Sequence, residues 1–227
     1  MPAPSQLVVA VDGPSGSGKS SVCREVARRL GLRYLDTGAM YRALTWWVLD
    51  KGADLDDADT VARMARELPL DLGTSPDSTV LTVGGSDVSA AVREPRISAA
   101  VSAVATNLGV REELVRRQRV IANDGGGIVV EGRDITTVVA PDADVRVLLT
   151  ASEQARLARR ALEVHGSDDD ESIAATRDHV LRRDAQDSTV ADFLEAGEGV
   201  IVVDSSDLTF EETVQALLDL VTAVHRD

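Results

Sequence analysis

The sequence predicts an α/β fold with a central parallel sheet of five strands flanked by helices. Short apolar runs rich in β-branched residues recur along the chain, and helical segments separate them. In addition, the segment 13–20 reads Gly-Pro-Ser-Gly-Ser-Gly-Lys-Ser and directly follows the first apolar run. A glycine-rich pattern of this kind between a strand and a helix is typical of loops that bind phosphate groups.

The predicted strands are continuous apolar runs, as expected of strands buried on both faces of a parallel sheet. They span 7–11, 32–35, 128–130, 145–149 and 200–203. Helices are predicted at 19–30, 39–50, 111–123, 153–164 and 172–184. Gly31 provides a stop for the first helix, and the segment 209–212, Thr-Phe-Glu-Glu, predicts a capping box that opens a final helix.

Two local features refine this outline. In the helix at 111–123, Glu112 and Glu113 are each expected to pair with the arginine four residues later. Residues 68–92 interrupt the alternation of strand and helix, because prolines and glycines punctuate short alternating pieces. We expect a small antiparallel insertion there.

The composition indicates one acidic α/β domain. The chain has 227 residues, of which 44% are hydrophobic, and a net charge of −14. This charge argues against sequence-independent binding to nucleic acid. Cys23 is the single cysteine, so no internal disulfide can form, and no apolar stretch reaches membrane-spanning length. We therefore expect a cytoplasmic protein without nucleic-acid or membrane partners, and a monomer because no long apolar surface helix stands out.

The segment 13–20 has the residue types that phosphate binding requires. Gly13, Gly16 and Gly18 lack a Cβ, so the backbone can curl around an anion and direct N–H groups at it. The helix that begins at Lys19 points the positive end of its dipole at the same place. Lys19 can reach the β- and γ-phosphates of a nucleotide, and the hydroxyl of Ser20 can ligate Mg²⁺.

Charged residues follow two further strands, at the carboxyl edge of the sheet where α/β folds bind ligands. Glu131 ends one apolar run and can hold Mg²⁺ through water, and Arg133 and Asp134 follow it. The segment 35–42, Leu-Asp-Thr-Gly-Ala-Met-Tyr-Arg, ends another strand, and its Arg42 can form a bidentate pair with a phosphate. The sequence has no Asn-Lys-x-Asp signature of GTPases. A second substrate is therefore expected beside the loop.

In these segments the sequence resembles the bacterial cytidylate kinases of the long type with an extra insertion, within the P-loop nucleoside monophosphate kinases. The resemblance covers nearly the whole chain, and the pairing of Leu-Asp-Thr-Gly-Ala-Met-Tyr-Arg with Gly-Arg-Asp distinguishes this family from other monophosphate kinases. The matching segments are 11–20, 34–42, 87–93, 110–119, 131–134, 137–143 and 152–160.

The resemblance implies phosphoryl transfer from ATP to CMP or dCMP with Mg²⁺, which gives ADP and CDP or dCDP. It implies a single domain over 1–227, with the core at 1–36, 106–151 and 191–227. The monophosphate-binding region with the insertion is expected at 37–105, and a lid at 152–190. The arginines predicted to line the lid are Arg156, Arg159, Arg160, Arg182 and Arg183.

The resemblance also implies roles for individual residues. The residues expected to contact the acceptor are Thr37, Arg42, Ser102, Arg111, Arg133, Asp134 and Asp187, the last through the ribose. Those expected to contact ATP are Gly13, Pro14, Ser15, Gly16, Ser17, Gly18, Lys19, Ser20, Ser21 and Arg159. The predicted catalytic residues are Lys19, Arg133 and Arg183, and the predicted metal ligands are Ser20 and, through water, Glu131.

The hydrogen-bonding pattern of cytosine fits Arg111 and Asp134. An aspartate accepts from the N4 amino group, and an arginine donates to N3 and O2. Uracil reverses this pattern and would leave buried polar groups unpaired. Structural alternatives remain for each residue: Asp134 as the cap of a helix near Ile135, Arg111 as a surface charge, and Ser102 as a helix-surface serine.

The sequence departs from the family pattern in the segment 183–187, Arg-Asp-Ala-Gln-Asp. Gln186 and Val190 stand where the family usually has arginines. We expect weaker binding of the acceptor phosphate unless Arg42, Arg133 and Arg183 compensate. Two alternative functions remain open: a kinase with another acceptor, such as UMP, AMP or a small alcohol, and a nucleotide-binding switch without turnover.

Overall fold

The computed structural model describes residues 6–78 and 80–224 and confirms the predicted α/β fold. Residues 1–5, Thr79 and residues 225–227, which the predicted core and insertion include, lie outside the described residues. The strands are β1 Val8–Asp12, β2 Arg33–Asp36, β3 Leu70–Leu72, β4 Leu81–Val83, β5 Ser86–Asp87, β6 Ile128–Gly132, β7 Val145–Thr150 and β8 Ile201–Asp204. The helices are α1 Lys19–Leu30, α2 Thr37–Asp50, α3 Ala58–Glu67, α4 Pro95–Ala105, α5 Leu108–Ala122, α6 Glu153–His165, α7 Asp170–Asp187 and α8 Phe210–Val224.

The central sheet is parallel, with the strand order β2-β6-β1-β7-β8. Its register aligns the carboxyl ends of β1, β2 and β6: Asp12 pairs with Gly132, and Asp36 pairs with Glu131. The loops that follow β1, β2 and β6 therefore meet at one edge. Alternate strand residues enter two apolar clusters on opposite faces, with Ala10 in one and Val9 in the other.

The predicted strand at 200–203 differs most from the structure. It forms β8 one residue later, at the edge of the sheet, and Ile201 and Val202 are 43% and 52% exposed. The prediction of a buried strand was wrong here, because an apolar run carries no information about which strand lies at the edge.

Three helices begin before their predicted first residue, because the polar residue that caps each one precedes the apolar pattern. Asp36 caps α2 through the amide of Ala39, and Asn107 caps α5, so both helices begin earlier than predicted. Asp169 likewise places the start of α7 earlier. The capping box at Thr209 and Glu212 is confirmed by reciprocal hydrogen bonds of 2.9 and 3.2 Å.

One of the two ion pairs predicted on α5 is present. Glu113 pairs with Arg117 at 2.6 Å, as predicted. Arg116, however, turns both its Nε and Nη2 toward Glu113, at 2.8 Å each, instead of toward Glu112. One carboxylate thus serves two guanidinium groups, which holds the pKa of Glu113 at about 2 through Arg116 and, less strongly, Arg117.

The insertion is antiparallel, as the sequence predicts. Strands β3, β4 and β5 form a separate three-stranded sheet, and Gly84 and Gly85 turn the chain between β4 and β5 with φ of 58° and 80°. Two left-handed residues in succession are typical of a tight hairpin turn. Within residues 6–78 and 80–224, no helix is both long and apolar enough to cross a bilayer.

Candidate active site

The glycine-rich segment 13–20 forms the loop between β1 and α1, as predicted. Gly16 has φ of 77°, and a Cβ there would lie 2.5 Å from the carbonyl oxygen of Arg156. A Cβ on Gly13 would collide with the carbonyl oxygen of Leu149 at the end of β7. These glycines are required because the loop packs its backbone directly on the backbone of β7 and α6.

Two side chains in this loop are free to meet an anion. Lys19 donates only to the carbonyl oxygen of Pro14, at 3.1 Å, and burial lowers its pKa against the opposing attraction of Glu131. The hydroxyl of Ser17 is buried and has no hydrogen-bond partner among the described residues. The loop thus offers an ammonium group and an unsatisfied hydroxyl where the sequence predicts phosphate binding.

A carboxylate that the sequence analysis left without a role touches the loop. Asp184 of α7 accepts from the amide of Ser15 at 3.0 Å, from Arg133 at 2.7 Å and from Arg156 at 2.5 Å. Burial alone would raise the pKa of Asp184, but these partners, Arg133 foremost, hold it below the usual value. No local signal marks this residue, because its partners come from three distant parts of the chain.

Glu131 at the end of β6 lies beside Lys19 and Ser20. It is 3% exposed and accepts from the hydroxyl of Tyr34 at 2.9 Å. Burial raises its pKa, and repulsion from Asp36 adds to this, while Lys19 and the Ser20 hydroxyl oppose it. The structure therefore brings the two predicted metal ligands together, beside the ammonium group of Lys19.

The predicted phosphate-holding residues lie on the other side of Glu131. Arg42 pairs with Asp36 at 2.7 Å, and both side chains are largely buried. Burial would raise the pKa of Asp36, but Arg42 holds it below the usual value. Thr37 donates to the carbonyl oxygen of Glu131 at 2.8 Å, which fixes the start of α2 on β6.

Arg133 and Arg183 approach the same place from two elements. Arg133 follows β6, pairs with Asp187 at 3.2 Å and lies 4.2 Å above the ring of Phe193. Arg183 comes from α7, and its buried Nε has no hydrogen-bond partner among the described residues. Burial and the nearby Arg133 lower the pKa of Arg183 to about 10, so it is still a cation at neutral pH.

Arg111 and Asp134, the residues predicted to recognise the base, form a buried pair. Arg111 donates to Asp134 at 2.5 Å, and their side chains are 14% and 7% exposed. Burial raises the pKa of Asp134, although Arg111 opposes the shift. Asp134 makes no capping hydrogen bond and Arg111 is not a surface charge, so both structural alternatives are excluded. Ser102 is also buried and donates to Asp187 at 3.1 Å.

Asp12 performs the capping that Asp134 does not. Its carboxylate accepts from the amides of Ile135 and Thr136 at 2.8 Å each and from the Thr136 hydroxyl at 2.7 Å. Asp12 is 1% exposed and thereby ties the turn after β6 to the end of β1. Sequence reasoning assigned it no role, although an acid that ends a buried strand is itself a signal.

The three predicted lid arginines of α6 have separate partners. Arg156 turns inward and donates to the carbonyl oxygen of Ser15 at 2.9 Å. Arg159 donates to the hydroxyl of Ser205 at 2.9 Å and to its carbonyl oxygen at 2.5 Å, beside the start of α8. Arg160 forms a pair with Glu163 at 2.7 Å, as expected of a solvated face.

Comparison with known proteins agrees with this arrangement. The family model for cytidylate kinase matches residues 9–223. The cytidylate kinase of Cutibacterium acnes is 48% identical over 224 residues, which cover 98% of this chain and 99% of that protein. The cytidylate kinase of Streptomyces avermitilis is 44% identical over 217 residues, which cover 95% and 92%.

A solved structure also shares the fold. An uncharacterized protein from Eubacterium ventriosum has a TM-score of 0.51 and 11% identity, over 96% of this chain and 99% of that protein. This likeness concerns the fold alone. The match of the family model over nearly the whole sequence, together with the relatives at 44% and 48% identity, leads to one conclusion: the chain belongs to the cytidylate kinase family.

Proposed function

We propose that the chain transfers the γ-phosphoryl group of ATP to CMP or dCMP, giving ADP and CDP or dCDP. The observation that carries the proposal is the buried Arg111–Asp134 pair, which lies at the same sheet edge as the phosphate loop. A buried pair with this hydrogen-bonding capacity fits cytosine, and membership of the cytidylate kinase family agrees with it.

The donor binds in the loop at 13–20. Backbone amides and the dipole of α1 surround its phosphates, and Lys19 and the Ser17 hydroxyl supply further donors. Arg159, which is tied to the loop before α8, lies on the donor side of the sheet.

The oxygen ligands that Ser20 and Glu131 offer fit Mg²⁺. The described residues hold no group of three or more His, Cys, Asp and Glu side chains that could bind a metal alone. Mg²⁺ commonly takes one or two protein oxygens and completes its shell with water and substrate phosphates. Burial and, less strongly, repulsion from Asp36 raise the pKa of Glu131, and a divalent cation would favour its ionised form. When bound, Mg²⁺ supplies charge neutralisation on the phosphates.

The acceptor phosphate binds Arg42, Arg133 and Arg183. Arg183 has an unsatisfied buried Nε, which suits it to the contact that Val190 cannot make. The nearness of Arg183 to Arg133 concentrates positive charge, and a phosphate dianion would neutralise it. Thr37 lies beside this cluster, at the start of α2.

The cytosine ring lies against Arg111 and Asp134. Asp134 accepts from N4, and Arg111 donates to N3 and O2. Ser102 and Asp187, which are hydrogen-bonded to each other, lie beside this pair and would contact the base and ribose. Uracil would present a carbonyl to Asp134 and an N–H to Arg111, which costs several buried hydrogen bonds.

Catalysis then consists of positioning and charge neutralisation. The attacking group is a phosphate oxygen that is already ionised at neutral pH, so no strong general base is needed. Lys19, Arg133 and Arg183 surround the transferring group and stabilise the charge that spreads over its oxygens. Helices α6 and α7 cover the loop through Arg156 and Asp184 and exclude water from it.

A coupled assay of ADP formation tests the proposal. It would compare CMP, dCMP, UMP, AMP and shikimate with ATP and Mg²⁺. We expect turnover with CMP or dCMP and much slower turnover with UMP. Equal rates with UMP would remove the base-recognition role of Arg111 and Asp134. Turnover with none of the acceptors would overturn the kinase assignment and favour the switch.

A further inference from the structure

We infer that the carboxylate of Asp184 is an internal competitor of the donor phosphates, and that its displacement couples the binding of the two substrates. The inference rests on the proposed function, since it requires the donor in the loop and the acceptor phosphate at Arg133. Asp184 acts in this scheme as a positioning residue, because it works through the loop and two arginines.

The surroundings of Asp184 are those of a bound anion. Its Oδ1 accepts from the amide of Ser15 and from Arg133, and its Oδ2 accepts from Arg156. One loop amide and two guanidinium groups are the partners that proteins commonly offer to phosphate oxygens. The residue is 6% exposed, so this anion lies inside the site and not at its rim.

The same contacts hold the lid helices on the phosphate loop. Arg156 of α6 bridges Asp184 and the carbonyl oxygen of Ser15, and the backbone of Arg156 packs on Gly16. A donor phosphate that takes the Ser15 amide must displace Asp184 from it. The free energy of the contacts that Asp184 loses is then subtracted from the affinity for the donor.

Arg133 connects this competition to the acceptor. Its Nη1 donates to Asp184, and its Nη2 lies 3.2 Å from Asp187, which accepts from Ser102 beside the base-recognition pair. An acceptor phosphate that draws Arg133 toward itself removes one of the three partners of Asp184. The Ser15 amide then becomes easier to free, so the acceptor raises the affinity for the donor, and linkage makes this effect reciprocal.

The test measures ADP binding by calorimetry with and without saturating CMP, because ADP and CMP form a complex that cannot react. The proteins are the wild type, Asp184→Asn, and the control Asp178→Asn, an exposed aspartate of the same helix. In Asp184→Asn, Arg156 loses its carboxylate partner and Arg133 keeps only Asp187. We therefore expect ADP to bind about tenfold more tightly than in the wild type. The control is expected to match the wild type.

CMP should strengthen ADP binding several-fold in the wild type and hardly at all in Asp184→Asn. A residue that only stabilised the fold could not tighten ADP binding when replaced, so unchanged or weaker binding in a folded Asp184→Asn variant overturns the inference. If that variant does not fold, the measurement on the wild type tests the coupling by itself. Equal ADP affinity with and without CMP would then overturn it. Failure of the proposed function is distinguishable, because CMP would then neither bind nor support turnover while the effect on ADP alone remained measurable.

Discussion

The glycine-rich loop and the proposed acceptor pocket meet at the same edge of the sheet but are built in opposite ways. The loop is one continuous stretch, 13–20, whose shape comes from the backbone and its glycines. The acceptor pocket collects side chains from α2, α4, α5, α7 and the turn after β6. A site formed by the backbone of one segment can be predicted from that segment. A site formed by side chains from several elements cannot, because it depends on how those elements pack.

The two regions also differ in how their charges are balanced. In the pocket, each predicted arginine has a carboxylate partner, such as Asp36 for Arg42 and Asp134 for Arg111, and the longest of these pairs joins Arg183 to Asp187 at 3.6 Å. In the loop, Lys19 has only a carbonyl oxygen. We therefore expect a substitution in the loop to remove activity outright, and a substitution in the pocket to change affinity and selectivity in steps.

The largest effect is expected for Lys19→Met. This variant removes the positive charge that reaches the β- and γ-phosphates, and we expect kcat with ATP and CMP to fall about a thousandfold. The chain's other lysine, Lys51, is exposed, so Lys51→Met is the matched control and should keep wild-type kcat. A loss of less than tenfold in Lys19→Met would show that charge neutralisation in the loop comes from other residues.

Asp134→Asn tests the acceptor pocket. The carboxylate accepts from N4 in our proposal, and the amide can present its NH₂ group there instead. We expect kcat/KM for CMP to fall about a hundredfold and the CMP-to-UMP ratio to approach one. Asp142→Asn, at an exposed position, controls for the loss of one charge. A CMP-to-UMP ratio that stays at its wild-type value would remove Asp134 from base recognition.

Arg183→Ala is expected to have a smaller effect. Its unsatisfied Nε makes it the proposed replacement for the missing arginine at Val190, so kcat/KM for CMP should fall about tenfold, mainly through KM. Arg177 of the same helix is exposed, and Arg177→Ala should leave kcat/KM unchanged. If kcat/KM is also unchanged in Arg183→Ala, the idea of compensation is wrong.

The mildest effect concerns pH. Burial raises the pKa of Asp134, and protonation removes its negative charge and weakens it as an acceptor for N4, so selectivity for CMP should decline as the pH falls through this raised pKa. The ratio of kcat/KM for CMP to that for UMP removes the titration of the phosphate, which both acceptors carry, and the same ratio in Asp134→Asn shows the contribution from protonation of the cytosine ring. The ordinary pKa of an aspartate is about 3.9. We expect the ratio to decline several-fold above pH 4 in the wild type and to decline less in Asp134→Asn, where only the cytosine ring is protonated. A flat ratio in the wild type would contradict it.

The contrast between the two regions explains how much the sequence could predict. Periodicity and glycine placement predicted the sheet, the loop and the insertion because these depend on local conformation. The resemblance supplied the acceptor residues, and the structure brings Arg42, Arg133 and Arg183 close together. Neither the sequence patterns nor the resemblance indicated Asp184. The sequence of α7 does not distinguish this carboxylate from its other acidic residues, because its contact with the loop arises only when the helix packs there.

Asp12 links the two parts of the site. The strand that leads into the phosphate loop also pins, through this one carboxylate, the turn that carries Arg133 and Asp134. This turn is therefore held at a fixed place relative to the strand that leads into the loop. Under the proposed function, one buried carboxylate thereby positions the contacts for both the phosphate and the base of the acceptor.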